Sequence, residues 1–63
     1  MTTYTIYADT PPLGWSMSIV RDDGTRTAGI IARHTDRGLW VRVEGKSRLF
    51  TWRDGRWVCE VLE

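Results

Sequence analysis

Turn-forming residues divide the chain into short segments in which apolar and polar side chains alternate. The turn signals are DTPPLG, DDGT, TDRG, EGK and RDG, and the segments between them are rich in β-branched and aromatic residues. WSMSIV shows the alternation most clearly, with Trp15, Met17 and Ile19 on one side and two serines on the other. Alternation of this kind, bounded by turn residues, is typical of strands with one buried face. The pattern predicts an antiparallel all-β fold.

The stretch RLFTWRDGRWVCEV contains the clearest hairpin signal. Asp54-Gly55 is a preferred type I′ loop, because both central positions of that turn require positive φ. A two-residue loop here pairs Trp52 with Trp57 across the strands at a site where side chains approach closely. We interpret the two tryptophans first as a clamp on the turn. The same pairing predicts one core-facing set: Phe50, Trp52, Trp57, Cys59 and Val61.

The remaining loops extend this pairing towards the amino terminus. We expect a two-residue loop at Asp23-Gly24, a four-residue loop over 35–38, and a two-residue loop at either Glu44-Gly45 or Gly45-Lys46. The two alternatives differ by two residues in register, so they give the same faces. The predicted core then also contains Tyr4, Ile6, Trp15, Met17, Ile19, Ile30, Ala32, His34, Leu39, Val41 and Val43.

Together these elements predict a small antiparallel meander of five to six strands, curled into an SH3-like barrel or half-barrel. The alternative is an α+β fold with one short helix near residues 27–35, because three residues there could line one helical face. Gly29 and the two adjacent β-branched residues disfavour that helix.

At 63 residues the chain is expected to form a single domain over 1–63. A domain of this size buries only about 60% of the surface of its unfolded chain. With one cysteine it has no disulfide, so we expect a homodimer to supply the missing burial. The first and last strands of an open meander would also invite edge pairing. Residues 62–63 resemble a cloning scar and carry no functional weight.

The formal net charge is +1, and eight of the nine basic residues are arginine. Alternation places an outward set on the sheet: Ile31, Arg33, Trp40, Arg42, Leu49, Arg53, Arg56 and Val58. Tryptophan and arginine are enriched at binding hot spots, so we predict a binding surface formed by Trp40, Arg33, Arg42, Arg53 and Arg56. The equally weighted alternative is that arginine stems cover Trp40 by cation–π stacking within one chain.

Catalytic and metal-binding chemistry have little support in the sequence. His34 and Cys59 are the only candidates for a nucleophile and base, and no spacing brings them together. Asp22-Asp23-Gly24 fits a hairpin turn, since the spaced carboxylates of a calcium loop are missing. No phosphate-binding or metal motif is present. We therefore expect no enzymatic activity, no metal and no cofactor.

The leading functional hypothesis is a non-catalytic binding module that engages a protein partner through the Trp40 side of the sheet. Stand-alone accessory or inhibitor-type proteins of phages and mobile elements have this size and character. The runner-up is a nucleic-acid binder in which arginines contact phosphates and Trp40 stacks on a base. The arginine- and tryptophan-rich sheet is similar, in a general way, to SH3-like modules and small β-barrel nucleic-acid binders. The lone cysteine and the absence of a long apolar run predict a cytoplasmic protein that does not bind membranes.

Overall fold

A computed structural model of the chain describes residues 1–62, in which six antiparallel strands close into a small barrel. Each strand pairs with its neighbours in the chain, and the last strand pairs with the first. The strands are β1 (Thr2–Ile6), β2 (Ser16–Arg21), β3 (Arg26–Thr35), β4 (Gly38–Val43), β5 (Lys46–Arg53) and β6 (Arg56–Val61). The prediction of a small all-β barrel is confirmed, and the architecture is consistent with an SH3-like barrel.

The alternative of a short helix near residues 27–35 is wrong. Residues 27–35 lie within β3, and none of the described residues is helical. The described chain accordingly contains no helix long and apolar enough to cross a membrane. Residue 63, half of the suggested cloning scar, lies outside the described residues.

The pairing of β1 with β6 closes the barrel. Tyr4 lies opposite Cys59 and Ile6 lies opposite Trp57, and all four side chains are buried. Closure removes unpaired strand edges. Edge pairing was therefore the wrong reason to expect a homodimer, and dimerisation itself stays a prediction.

Two tight hairpins have the predicted chemistry. Both residues of Glu44-Gly45 and of Asp54-Gly55 have positive φ, between 47° and 79°, as a type I′ turn requires. The first result selects Glu44-Gly45 over Gly45-Lys46. The second places Trp52 opposite Trp57, as predicted.

The loop between β2 and β3 is one residue longer than predicted. The backbone N–H of Arg21 donates to the carbonyl of Thr25 at 2.8 Å, which leaves the three residues 22–24 in the loop. Gly24 has φ +88°, the left-handed residue that completes a three-residue hairpin loop. Asp23 supports the turn, because its carboxylate accepts from the Thr25 backbone N–H at 2.9 Å. These hydrogen bonds from Thr25 hold the pKa of Asp23 below its usual value.

The longer loop reverses the predicted faces in the first half of β3. Ile19 pairs with Thr27 rather than Ala28, so a one-residue shift exchanges inward and outward positions. Ile31, predicted outside, is 1% exposed, whereas Ile30, predicted in the core, is 50% exposed. Both predictions were wrong for this single reason.

A β-bulge between Ile31 and Arg33 then restores the predicted pairing. Beyond it Arg33 lies opposite Trp40 and His34 lies opposite Leu39. The bulged residue Ala32 is exposed, as is His34, so their predicted burial was also wrong. A bulge places two residues of one strand opposite one of its partner, which cancels the shift introduced at the β2–β3 loop.

The core otherwise follows the predicted alternation. Its buried cluster consists of Tyr4, Ile6, Ile19, Ile31, Leu39, Val41, Val43, Phe50, Trp57, Cys59 and Val61, with Met17 partly buried against it. Trp15 and Trp52 were predicted inside but are 62% and 47% exposed, because both lie where strands begin or end. Val58 is buried although it was predicted outside. It is flanked by Thr5 and Thr51 on the adjacent strands.

Candidate functional site

Trp40 lies on the outer wall of the barrel. Its neighbours in β4, Leu39 and Val41, are at most 1% exposed, so alternation directs the indole outward. The side chain is partly buried between its cross-strand partners Arg33 and Leu49. The predicted outward orientation of Trp40 therefore fits the observed register.

An open cleft of about 330 Å³ adjoins the indole and is lined by Ala32, Arg33, Trp40 and Ser47. The β3 bulge contributes Ala32 to this lining. Bulges bend a strand and re-aim its side chains, and the small alanine leaves space beside the larger neighbours. A cleft at the small end of the range for ligand pockets is suited to receive one or two side chains of a partner.

Ile30 and Arg42 extend the surface along the next row of the sheet. They lie opposite one another on β3 and β4, and Arg42 also lies opposite Ser47 on β5. Ile30 is diagonal to Trp40, close enough for the two apolar side chains to form one patch. We call this surface the Trp40 face and define it by Ile30, Ala32, Arg33, Trp40, Arg42, Ser47 and Leu49.

The two arginines of the Trp40 face have no acidic partner in the described chain. Two ion pairs are found there, Arg21 with Glu44 and Arg53 with Glu60. Glu44 is two residues beyond Arg42, and its contact with Arg21 raises the pKa of that guanidinium. The carboxylate nearest to Arg42 in the chain is therefore already engaged, which leaves the Trp40 face positively charged.

Trp40 lies outside the aromatic ring contacts of the described residues. The close aromatic contacts of the described residues join His34, Trp52 and Trp57, and none involves Trp40. No aromatic ring of the described chain therefore covers the indole, and the alternative in which Arg33 covers it within the chain stays a prediction.

Arg53 and Arg56 lie apart from the cleft. They face each other at the β5–β6 hairpin, and the Arg53 guanidinium forms an ion pair with the Glu60 carboxylate at 2.9 Å. Arg53 is four residues along β5 from Leu49, the partner of Trp40, which corresponds to roughly 13 Å. The predicted five-residue set thus divides into the Trp40 face and a separate pair at the end of the barrel.

The end of the barrel holds an aromatic cluster. The Trp52 and Trp57 ring centroids are 5.2 Å apart at an interplanar angle of 67°, which gives the predicted clamp. His34 meets the same Trp57 ring edge-on at 5.3 Å. The indole N–H of Trp57 donates to the carbonyl oxygen of Asp9 at 3.2 Å, which attaches the β1–β2 loop to the cluster.

His34 and Cys59 do not form a reactive pair. No hydrogen bond between them is found among residues 1–62, and the imidazole of His34 instead packs on Trp57. Burial raises the pKa of the Cys59 thiol, and a raised pKa lowers the thiolate fraction that would act as nucleophile. The same residues include no group of three or more His, Cys, Asp or Glu side chains placed to hold a metal ion.

Sequence reasoning missed Ile30, Ala32 and Ser47 as members of the surface. The DDGT loop could have indicated the exposure of Ile30. A glycine after two turn residues is typical of a three-residue hairpin loop, and that loop length gives the register in which Ile30 faces outward. No local signal marks the bulge at Ala32.

Comparison with known proteins adds no assignment, since no protein-family model, no curated protein and no solved structure matches this chain.

Proposed function

We propose that this chain is a non-catalytic binding module that engages a protein partner through the Trp40 face. One observation carries the proposal. Trp40 and the half-exposed Ile30 lie on the same outer face of adjacent strands, together with two arginines that have no ion-pair partner among the described residues. An apolar centre with a charged border is the usual anatomy of a protein interface.

A protein partner fits this surface better than nucleic acid does. The exposed Ile30, on the same face as the indole, supplies aliphatic contact area. Aliphatic side chains contribute little to contacts with phosphates or stacked bases. Two arginines on the face, in a chain of net charge +1, also provide fewer phosphate contacts than nucleic-acid binding normally uses. The more distant Arg53 already has a carboxylate partner in Glu60.

The partner is proposed to present carboxylates around an apolar side chain. Arginine binds carboxylates in a bidentate geometry, and Arg33 and Arg42 lie on adjacent strands beside the cleft. An aromatic or aliphatic anchor of the partner would enter the cleft next to Trp40. The role would be that of an accessory or inhibitor-type protein of a phage or mobile element. Its free, buried Cys59 suits a reducing compartment such as the cytoplasm.

The test uses two tryptophan variants that are matched in chemistry but differ in place. Wild type, Trp40→Ala and Trp15→Ala serve as bait in lysate of the native host. The protein that wild type retains is then purified and titrated calorimetrically. We expect Trp40→Ala to weaken its affinity about thirty-fold or more and Trp15→Ala to leave it unchanged. A purified partner that binds Trp40→Ala as tightly as wild type would contradict the proposal.

A second measurement separates the nucleic-acid alternative. Labelled single-stranded and duplex oligonucleotides are titrated with the chain from low to physiological salt. Nucleic-acid binding predicts an affinity that falls steeply with salt and depends on Trp40. We expect only weak association, insensitive to Trp40→Ala, and tight Trp40-dependent binding would favour the alternative.

A further inference from the structure

Large exposed apolar side chains lie in the loops and strand ends at one end of the barrel. Antiparallel pairing brings the last residues of β1, β3 and β5 and the first residues of β2, β4 and β6 to the same end. Four large side chains at this end are 47–70% exposed: Tyr7, Leu13, Trp15 and Trp52. We call this surface the aromatic end.

The backbone of the aromatic end is held in place by hydrogen bonds. The N–H of Gly14 donates to the carbonyl of Ile31 at 2.7 Å, and the N–H of Ile31 donates to the carbonyl of Trp15 at 2.9 Å. The other side of the loop is fixed by the bond from Trp57 to Asp9. A surface that is already ordered loses little conformational entropy when it binds.

The charges around the aromatic end are of both signs. Its turns and adjoining strand residues carry three carboxylates and three guanidinium groups, of which one guanidinium is already ion-paired with Glu60 of β6: Asp9, Asp36, Asp54, Arg37, Arg56 and the paired Arg53. In a two-fold symmetric dimer the same patch lies on both sides of the interface. A patch with both signs can complement its own copy, whereas a patch of one sign, such as the Trp40 face, repels it.

We propose that two copies of the chain associate through their aromatic ends as a symmetric dimer. The three aromatic rings are 47–70% exposed, and a whole aromatic side chain presents roughly 150–250 Å², so with Leu13 they offer a few hundred Å² per copy. The charged border would supply the rest of the ~800 Å² per partner of a stable interface. A small barrel gains most from such burial, because alone it covers little of its surface. The proposal concerns a different surface from the proposed function and does not depend on it.

The experiment measures mass by sedimentation over a wide concentration range for wild type, Trp15→Ser, Tyr7→Ser and the control Trp40→Ala. Wild type and Trp40→Ala are expected to approach twice the chain mass of 7.3 kDa. Trp15→Ser and Tyr7→Ser are expected to weaken dimerisation about thirty-fold or more. Circular dichroism of each variant confirms that the barrel has formed. If Trp15→Ser does not fold, the mass of Tyr7→Ser decides the test, because Tyr7 lies outside β1.

Two results would overturn the proposal. One is a wild-type chain that stays at the monomer mass at millimolar concentration. The other is a dimer that survives both Trp15→Ser and Tyr7→Ser but is lost in Trp40→Ala, which would place the interface on the Trp40 face. Loss of partner binding without loss of the dimer, or the reverse, tells the two proposals apart.

Discussion

The Trp40 face and the aromatic end both expose tryptophan, but they differ in what surrounds it. On the Trp40 face the indole has Arg33 as its cross-strand neighbour, with no carboxylate available on the face. At the aromatic end the loops and turns near Trp15 and Trp52 carry both acids and bases. The neighbouring charges, rather than the tryptophans, therefore distinguish a surface suited to a foreign acidic partner from one suited to a second copy.

The two regions also differ in how they connect to the core. The Trp40 face lies on strands whose inner side chains, such as Leu39 and Val41, are fully packed. The aromatic end includes Trp57, which is itself a core residue and contacts Trp52 and His34. Substitutions on the Trp40 face should leave folding largely intact. At the aromatic end, substitution of the core residue Trp57 should lower stability strongly, whereas substitution of an exposed residue should act mainly on surface contacts.

The largest expected effect on stability comes from removing the rings of the tryptophan clamp one at a time. Trp57 is 6% exposed, and Trp52 is 47% exposed. Trp57→Ala should lower the free energy of unfolding by ~3–5 kcal/mol, because it empties a core site and removes the indole bond to Asp9. Trp52→Ala should cost about 1–2 kcal/mol through the surface that it still covers. Urea denaturation followed by circular dichroism measures both.

The symmetry of these residues in the sequence gives the opposite expectation, since it predicts two equally buried rings and two large losses. Trp57→Phe supplies the control, because it keeps an aromatic ring on Trp52 and should fall between wild type and Trp57→Ala. Equal losses for Trp52→Ala and Trp57→Ala would mean that Trp52 is part of the core, and the aromatic end would lose one of its exposed side chains.

A smaller effect tests which residues form the Trp40 face. Gly29 is buried between Ile19 and Val41, and the register that buries it also exposes Ile30. Gly29→Ala should destabilise the barrel by about 1–3 kcal/mol through overpacking, as measured by thermal unfolding. Ala28→Ser, at an exposed neighbouring position, should be nearly neutral. If β2 and β3 instead paired through a two-residue loop, Gly29 would face outward and its substitution by alanine would be harmless.

The sequence predicts the fold because turn chemistry and alternation act together over most of the chain. Asp54-Gly55 and the turn over 35–38 set the registers that put Trp40 outside and opposite Arg33. The error in β3 arose where one loop allows two lengths that differ by a single residue. A slip of one residue reverses a strand face. The bulge at Ala32 has no signal in the local sequence, and it returns the rest of β3 to the predicted register.

The aromatic end was harder to predict for a different reason. Alternation assigns Trp15 and Trp52 to the inward side, but at the end of a barrel an inward side chain can still meet solvent. The exposed fraction there depends on which loop covers the opening, and the β1–β2 loop is bonded to Trp57 through the carbonyl of Asp9. Contacts of this kind, 48 residues apart in the chain, leave no periodic signal in the sequence.

The smallest expected effect concerns the rate at which the proposed partner is found. Arg42 is exposed and has no ion pair among the described residues, so Arg42→Glu should leave the melting temperature near that of wild type. Reversal of a border charge acts mainly on encounter, and we expect slower association with an acidic partner and a weaker dependence of the association rate on salt.

Arg37→Glu is the matched control, because Arg37 is exposed in the β3–β4 turn at the aromatic end and its reversal should weaken the dimer instead. Surface plasmon resonance with the purified partner measures both rates. Equal slowing by the two variants would show that net charge, rather than the Trp40 face, guides association, and slowing by Arg37→Glu alone would place the partner at the aromatic end.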